Sequence, residues 1–121
     1  MMREHKDDLA AITPWTIPNA MITRKAAPPL AAGCLIIIKT AKLTPFPELV
    51  MGELAARAGA PAGVFNVIAD SKTGELRLEL TESRIVRKVM FTGSTRISKM
   101  LMQQCESTVK KVLFSLAAML P

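Results

Sequence analysis

A chain of 121 residues is long enough for one domain with one core, which would bury roughly two-thirds of the surface its unfolded form exposes. Half of its residues are hydrophobic and 21% are charged, a composition that excludes a disordered segment, and its longest apolar run, residues 31–38 broken only by Gly33, falls far short of the ~20 residues that span a bilayer. The formal net charge of +6 suits a phosphorylated ligand, a nucleic acid or an anionic surface, but the cations are scattered and no aromatic platform alternates with them, which argues against single-strand binding.

In chain order, residues 1–8 carry no apolar signal region and read as a frayed terminus, leaving 9–121 as the folded unit. Leu9 to Thr13 reads as a short strand ended by Pro14 and Trp15. From Pro18 a helix follows that Thr16 could cap; Pro28 and Pro29 should kink or shorten it, and Gly33 marks its end. Residues 34–38 are continuously apolar and β-branched, as a strand covered on both faces should be, with Lys39 at its carboxyl end.

Thr44 as cap, Pro45 at the first helical position and Gly59 past the end frame a second helix. Its Phe46, Leu49, Val50 and Leu54 recur at helical spacing and predict one buried stripe. Residues 64–68 form a third strand. Residues 70–83 are ambiguous, because Leu76, Leu78 and Leu80 alternate with charges at period two while the residue types favour helix. Val86 to Phe91 is a fourth strand; Gly93 turns the chain into a helix with Ile97, Met100, Leu101 and Cys105 on one face, and Val109 to Leu116 is a fifth strand.

Strands alternating with helices predict an α/β fold, a Rossmann-like parallel sheet of about five strands with helices on both faces. Ligands of such sheets gather at the carboxyl ends of the strands, here residues 13–16, 39–42, Asp70 and 92–94, a set rich in hydroxyl and ammonium groups. The junction Phe91-Thr92-Gly93-Ser94-Thr95 aims helix-end amides at one point, which suits a phosphate, although a plain turn and cap would be worded the same way. Cys34 and Cys105 lie in apolar settings without zinc-ligand spacing and read as buried free thiols of a soluble cytoplasmic protein.

Several stretches taken together resemble the cofactor-binding domain of NAD(P)-dependent aldehyde dehydrogenases: Ile12-Thr13-Pro14-Trp15, Met21-Ile22-Thr23-Arg24-Lys25, Leu30-Ala31-Ala32-Gly33-Cys34, Thr44-Pro45-Phe46, the run from Pro61 to Val67, and Phe91 to Thr95. The first lysine segment and Met102-Gln103-Gln104-Cys105 lean toward the succinate-semialdehyde branch. The resemblance implies an incomplete cofactor-binding domain for NADP or NAD. Ile12, Thr13, Pro14, Trp15 and Thr16 would line the cleft, Lys39 would hydrogen-bond the adenosine ribose, with Ala41 and Lys42 nearby, and Gly93 and Ser94 would meet the pyrophosphate. Ile97 and Leu116 complete the implied site. Lys42 stands where NAD-preferring members often carry an acid, so the resemblance tilts the cofactor toward NADP.

The same resemblance implies departures. Thr16 occupies the place of the oxyanion asparagine, and Ser115 that of the general-base glutamate, which a hydroxyl cannot replace near neutral pH. The family nucleophile falls beyond Pro121, and Cys34 and Cys105 match noncatalytic positions. Asp70, Arg96 and Ser98 replace residues that suit the pyrophosphate turn better. The expectation is a fragment limited to dinucleotide binding, with uncovered faces that favour self-association or docking on a full-length homologue, and without a specific nucleic-acid or membrane partner.

Overall fold

Ile36, Ile37 and Ile38 are apolar at every position because their strand has both faces covered: Ile36 and Ile38 are fully buried in one cluster, and Ile37 packs against another on the opposite side. The computed structural model describes residues 8–13, 18–69 and 72–116. Its elements are β1 (Asp8–Ile12), α1 (Pro18–Ala31), β2 (Ile36–Lys39), α2 (Phe46–Arg57), β3 (Phe65–Ile68), α3 (Thr73–Glu82), β4 (Val86–Gly93), α4 (Thr95–Cys105) and β5 (Lys111–Leu116). The strands form one sheet in the order β3-β2-β1-β4-β5, and every neighbouring pair is parallel. β1 therefore lies at the centre, and the chain reverses its direction of travel across the sheet between β1 and β4.

The two faces have separate cores. Leu9 and Ala11 of β1 meet Ile22 and Ala26 of α1, with Met51 of α2 against them, while Ala10 and Ile12 point the other way, toward Leu80 of α3 and Leu101 and Cys105 of α4. In β4 the register slips between Asp8 and Leu9 of β1, so that Asp8 pairs with Val86 and Leu9 with Lys88. The extra residue lets Val86 and Val89 share one face although they are three apart. Among the described residues no helix is long and apolar enough to cross a membrane.

Within the ambiguous stretch, residues Thr73–Glu82 are helical: α3 buries Leu80 and half-buries Leu76, four residues apart, and exposes Leu78. α1 includes Pro28 and Pro29 and ends two residues later at Ala31, where the proline carbonyls serve its last turn: Ala32 N–H reaches both at 3.1 Å, and Cys34 N–H reaches Pro29 O at 2.9 Å. Other expectations are corrected. α2 starts at Phe46 with Pro45, not Thr44, in the capping place and no side-chain cap bond. β5 begins at Lys111, since Val109 takes a left-handed conformation (φ 50°) and is 89% exposed.

The stripe expected to be buried on α2 faces outward instead, with Phe46 75% exposed and Leu49, Val50 and Leu54 also exposed. α2 docks on β3 by its small side. A Cβ on Gly52 would stand 3.3 Å from Val67 Cγ2, so the helix lies close enough that even an alanine there would press Val67 back by a few tenths of an ångström, and it carries the fully buried Glu48 inward as well. Elsewhere the α1 side of β4 and β5 is open, leaving a groove of about 640 Å³ over Leu9, Lys88, Met90, Lys111 and Leu113.

Candidate functional site

Parallel pairing places residues in register on the same face of a sheet. Ile12 is in register with Lys39 on one side and with Phe91 on the other, and Gly93 lies two residues beyond Phe91. Ile12, Lys39 and Gly93 thus share the carboxyl edge and the face that carries α3 and α4. Ser94, just past β4, caps α4: its backbone is extended (φ −72°, ψ 151°), and its Oγ accepts from Ile97 N–H at 3.4 Å. The helix thus opens onto the edge where Lys39 and Gly93 stand, with Ile97 half-buried behind it.

The break between strand and helix falls at Ser94 rather than at Gly93, which is the last residue of β4 and has no positive φ. Glycine is required for another reason. A Cβ there would run into the ring of Phe91, which stands edge-on to Phe114 with centroids 6.2 Å apart. Ser98 fits within the first turn, buried, its Oγ donating to Ser94 O at 3.0 Å.

Lys39 is buried, and its Nζ donates to Thr40 O at 3.0 Å. Ala41 is buried beside it and Lys42 is exposed. Thr13 points to the opposite face. Its Oγ1 donates to Glu48 Oε1 at 2.5 Å and lies 3.3 Å from Lys39 O. Of the other expected site residues, Pro14, Trp15 and Thr16 lie outside the described residues, as does Asp70. The backbone of β5 sets Leu116 beside Gly93 and Ser115 beside Thr92.

Sequence reasoning did not single out Glu48, and it named Lys25 and Thr92 without pairing them. Glu48 is completely buried in the first turn of α2. Burial raises its pKa, opposed by the bond from Thr13, the Ala41 amide and the Lys39 ammonium, and its Oε2 makes no hydrogen bond of normal geometry among the described residues. From sequence it reads as an exposed acid favouring the helix dipole, and no local pattern signals otherwise. Lys25, buried on α1, donates from Nζ to Thr92 Oγ1 at the end of β4, and burial, then Arg24, lowers its pKa. A lysine between apolar helix positions 22 and 26 was the available signal.

These groups suit a ligand with phosphates and hydroxyls. The first-turn amides of α4 not used by the Ser94 cap can serve an anion. The Lys39 ammonium adds a donor at the same edge. No group of three or more metal-ligating side chains occurs among the described residues.

A parallel sheet whose chain direction reverses beside its central strand, with a capped helix opening onto that carboxyl edge, defines a doubly wound α/β protein. The chain belongs to the aldehyde dehydrogenase family, whose model matches residues 8–119. It is 55% identical over 112 residues to the NADP(+) succinate-semialdehyde dehydrogenase GabD of Escherichia coli, covering 93% of this chain and 23% of that protein. A glutarate-semialdehyde dehydrogenase of Pseudomonas aeruginosa is 54% identical with the same coverage. The crystal structure of an E. coli NADP-dependent enzyme superposes with a TM-score of 0.88 at 54% identity, covering 92% of this chain and 23% of that one. The chain thus spans about a quarter of the length of the relatives it matches.

Proposed function

We propose that the chain is the dinucleotide-binding portion of a succinate-semialdehyde-type aldehyde dehydrogenase, taking NADP or NAD at the carboxyl edge of the sheet and catalytically silent by itself. The observation that supports this reading is that Lys39 and Gly93 share one edge and one face, with Ser94 capping α4 at that same edge. The amides at the start of α4 hold the pyrophosphate, and Lys39 donates to the adenosine ribose. When bound, the nicotinamide supplies the hydride acceptor for aldehyde oxidation in an intact enzyme.

Silence follows from what the cysteines are. Oxidation of this type needs a thiolate at the reacting carbonyl. Cys105 is buried at the far end of α4 from Ser94, and burial raises its pKa against a smaller opposing effect of Lys110, while Cys34 lies before β2, at the amino end of the sheet. Titration of the purified chain with NADP and NAD, following the fluorescence of its single tryptophan, Trp15, tests binding; a signal that does not saturate refutes it. Aldehyde-dependent formation of NADPH or NADH would refute silence.

A second reading, docking on a full-length homologue or self-association, is favoured by the outward stripe of α2 and the open groove beside β4 and β5. A pull-down with an intact homologue and light scattering of the chain alone test its two forms.

A further inference from the structure

The groove beside β4 and β5 carries a charge pattern of its own. Lys88 of β4 and Lys111 of β5 are in register, so two like charges stand side by side on the open face, an arrangement that costs stability and that an anion laid across them relieves. Arg24, Lys25 and Arg87 also line the groove, and no acidic side chain does so among the described residues. Two residues further along the strands, Met90 and Leu113 are in register and give the groove an apolar floor, with Leu113 55% exposed.

On the other side of the sheet, α3 carries the reverse pattern. Glu75, Leu78, Glu79 and Glu82 recur at helical spacing and are all exposed, so three carboxylates surround one leucine on its outward face. The one salt bridge among the described residues joins Arg57 to Glu53, so neither these acids nor the groove cations are ion-paired there.

We infer that α3 of one copy of this chain docks in the groove of another, which rests on the self-association reading and names its two surfaces. Two neighbouring strands make a floor about 10 Å wide, the width of a helix, and Glu75 to Glu82 spans about 10 Å along α3. Leu78 then meets the apolar floor while the carboxylates reach the lysines and arginines around it, and the charges fix the orientation. The two surfaces lie on opposite faces of the sheet, so one partner cannot fill both. The contact is heterologous, and copies add head to tail.

Sedimentation velocity of the full chain over a range of concentrations tests this. The wild type forms species larger than a dimer as concentration rises, and its association weakens by about tenfold between about 0.05 and 0.5 M salt. The groove variant Arg24→Glu/Lys111→Glu and the helix variant Glu75→Lys/Glu79→Lys each stay monomeric alone. Mixed, they form a one-to-one complex and grow no further, because the first keeps an intact α3 and the second an intact groove; two variants that had failed to fold could not do this. Monomeric variants whose mixture does not associate overturn the inference. So does association that neither charge swap weakens but Phe46→Ser abolishes, which leaves self-association standing on α2. A wild type monomeric at every concentration removes the self-association reading, and this inference with it.

Discussion

The ring of Phe91 stands in the space that a Cβ on Gly93 would need, two residues along the same strand and on the same face. The glycine that opens the candidate site is therefore fixed by packing inside the fold, independently of any ligand. Gly93→Ala is expected to destabilise the chain by about 1–3 kcal/mol through overpacking. Replacing Phe91 by Leu should relieve the clash, so the alanine costs markedly less in that background. A double-mutant cycle in urea measures the coupling, and additive effects would show that the ring does not press on this position.

The outward turn of α2 can be tested against the buried face of α4. Leu101 is fully buried between α4 and the sheet, so Leu101→Ala should cost about 2–5 kcal/mol. Phe46 is 75% exposed, and Phe46→Ser should stay within about 0.5 kcal/mol despite removing a larger side chain. Comparable losses at both sites would mean that the α2 stripe is covered.

The strands were legible because a parallel sheet covered on both faces writes its burial into consecutive β-branched residues, as at Ile36 to Ile38. The face that α2 buries was not legible, since its contact is made through Gly52, and a glycine carries no hydrophobic signal in a periodicity. The same limit applies to chemistry. Lys39, Gly93 and Ser94 stand at strand ends or at a helix start, positions that local wording reveals, whereas Glu48 is buried only because α2 packs against α1 and β3 in three dimensions and brings it to Thr13, just past β1. Over Thr73–Glu82 the propensity toward helix prevailed over the period-two alternation, because Leu76 and Leu80 can reach the core from one helix face while Leu78 faces water.

Glu48 also makes stability depend on pH. Its pKa is raised in the folded chain, so between the unfolded value, about 4.3, and the raised one the folded state binds more protons than the unfolded state. Its contribution therefore falls as pH rises through that window and is most favourable below it. Protonated, Glu48 can donate to Thr13 Oγ1, whose own hydroxyl hydrogen is then free to be donated to Lys39 O, so that both contacts have a hydrogen. The difference in unfolding free energy between Glu48→Gln and the wild type should grow from acid toward neutral pH in favour of the variant. A difference that is flat or of opposite slope would contradict the raised pKa.

The two thiols should react at very different rates. Cys34 is half-buried at the rim of the groove, whereas Cys105 is buried and holds its proton more tightly than an ordinary thiol. In the native chain a disulfide reagent is expected to label one equivalent quickly, at Cys34, and the second only on unfolding. Cys34→Ser should abolish the fast phase, and fast labelling of that variant would place Cys105 in contact with solvent.

Ser94 separates two roles that one residue can hold, capping a helix and admitting an anion. Its Oγ accepts from Ile97 N–H, so Ser94→Ala should cost about 1 kcal/mol of stability. Ser94→Asp keeps a good cap and adds a charge that the helix dipole favours, so this variant should be at least as stable as the wild type. The same carboxylate stands where the dinucleotide phosphates are proposed to sit and repels them. Binding of NAD or NADP should then weaken by about tenfold or more in the aspartate variant while its melting temperature holds. A helix terminus that is only a cap would give the opposite dissociation, with stability answering to the substitutions and the dinucleotide indifferent to both.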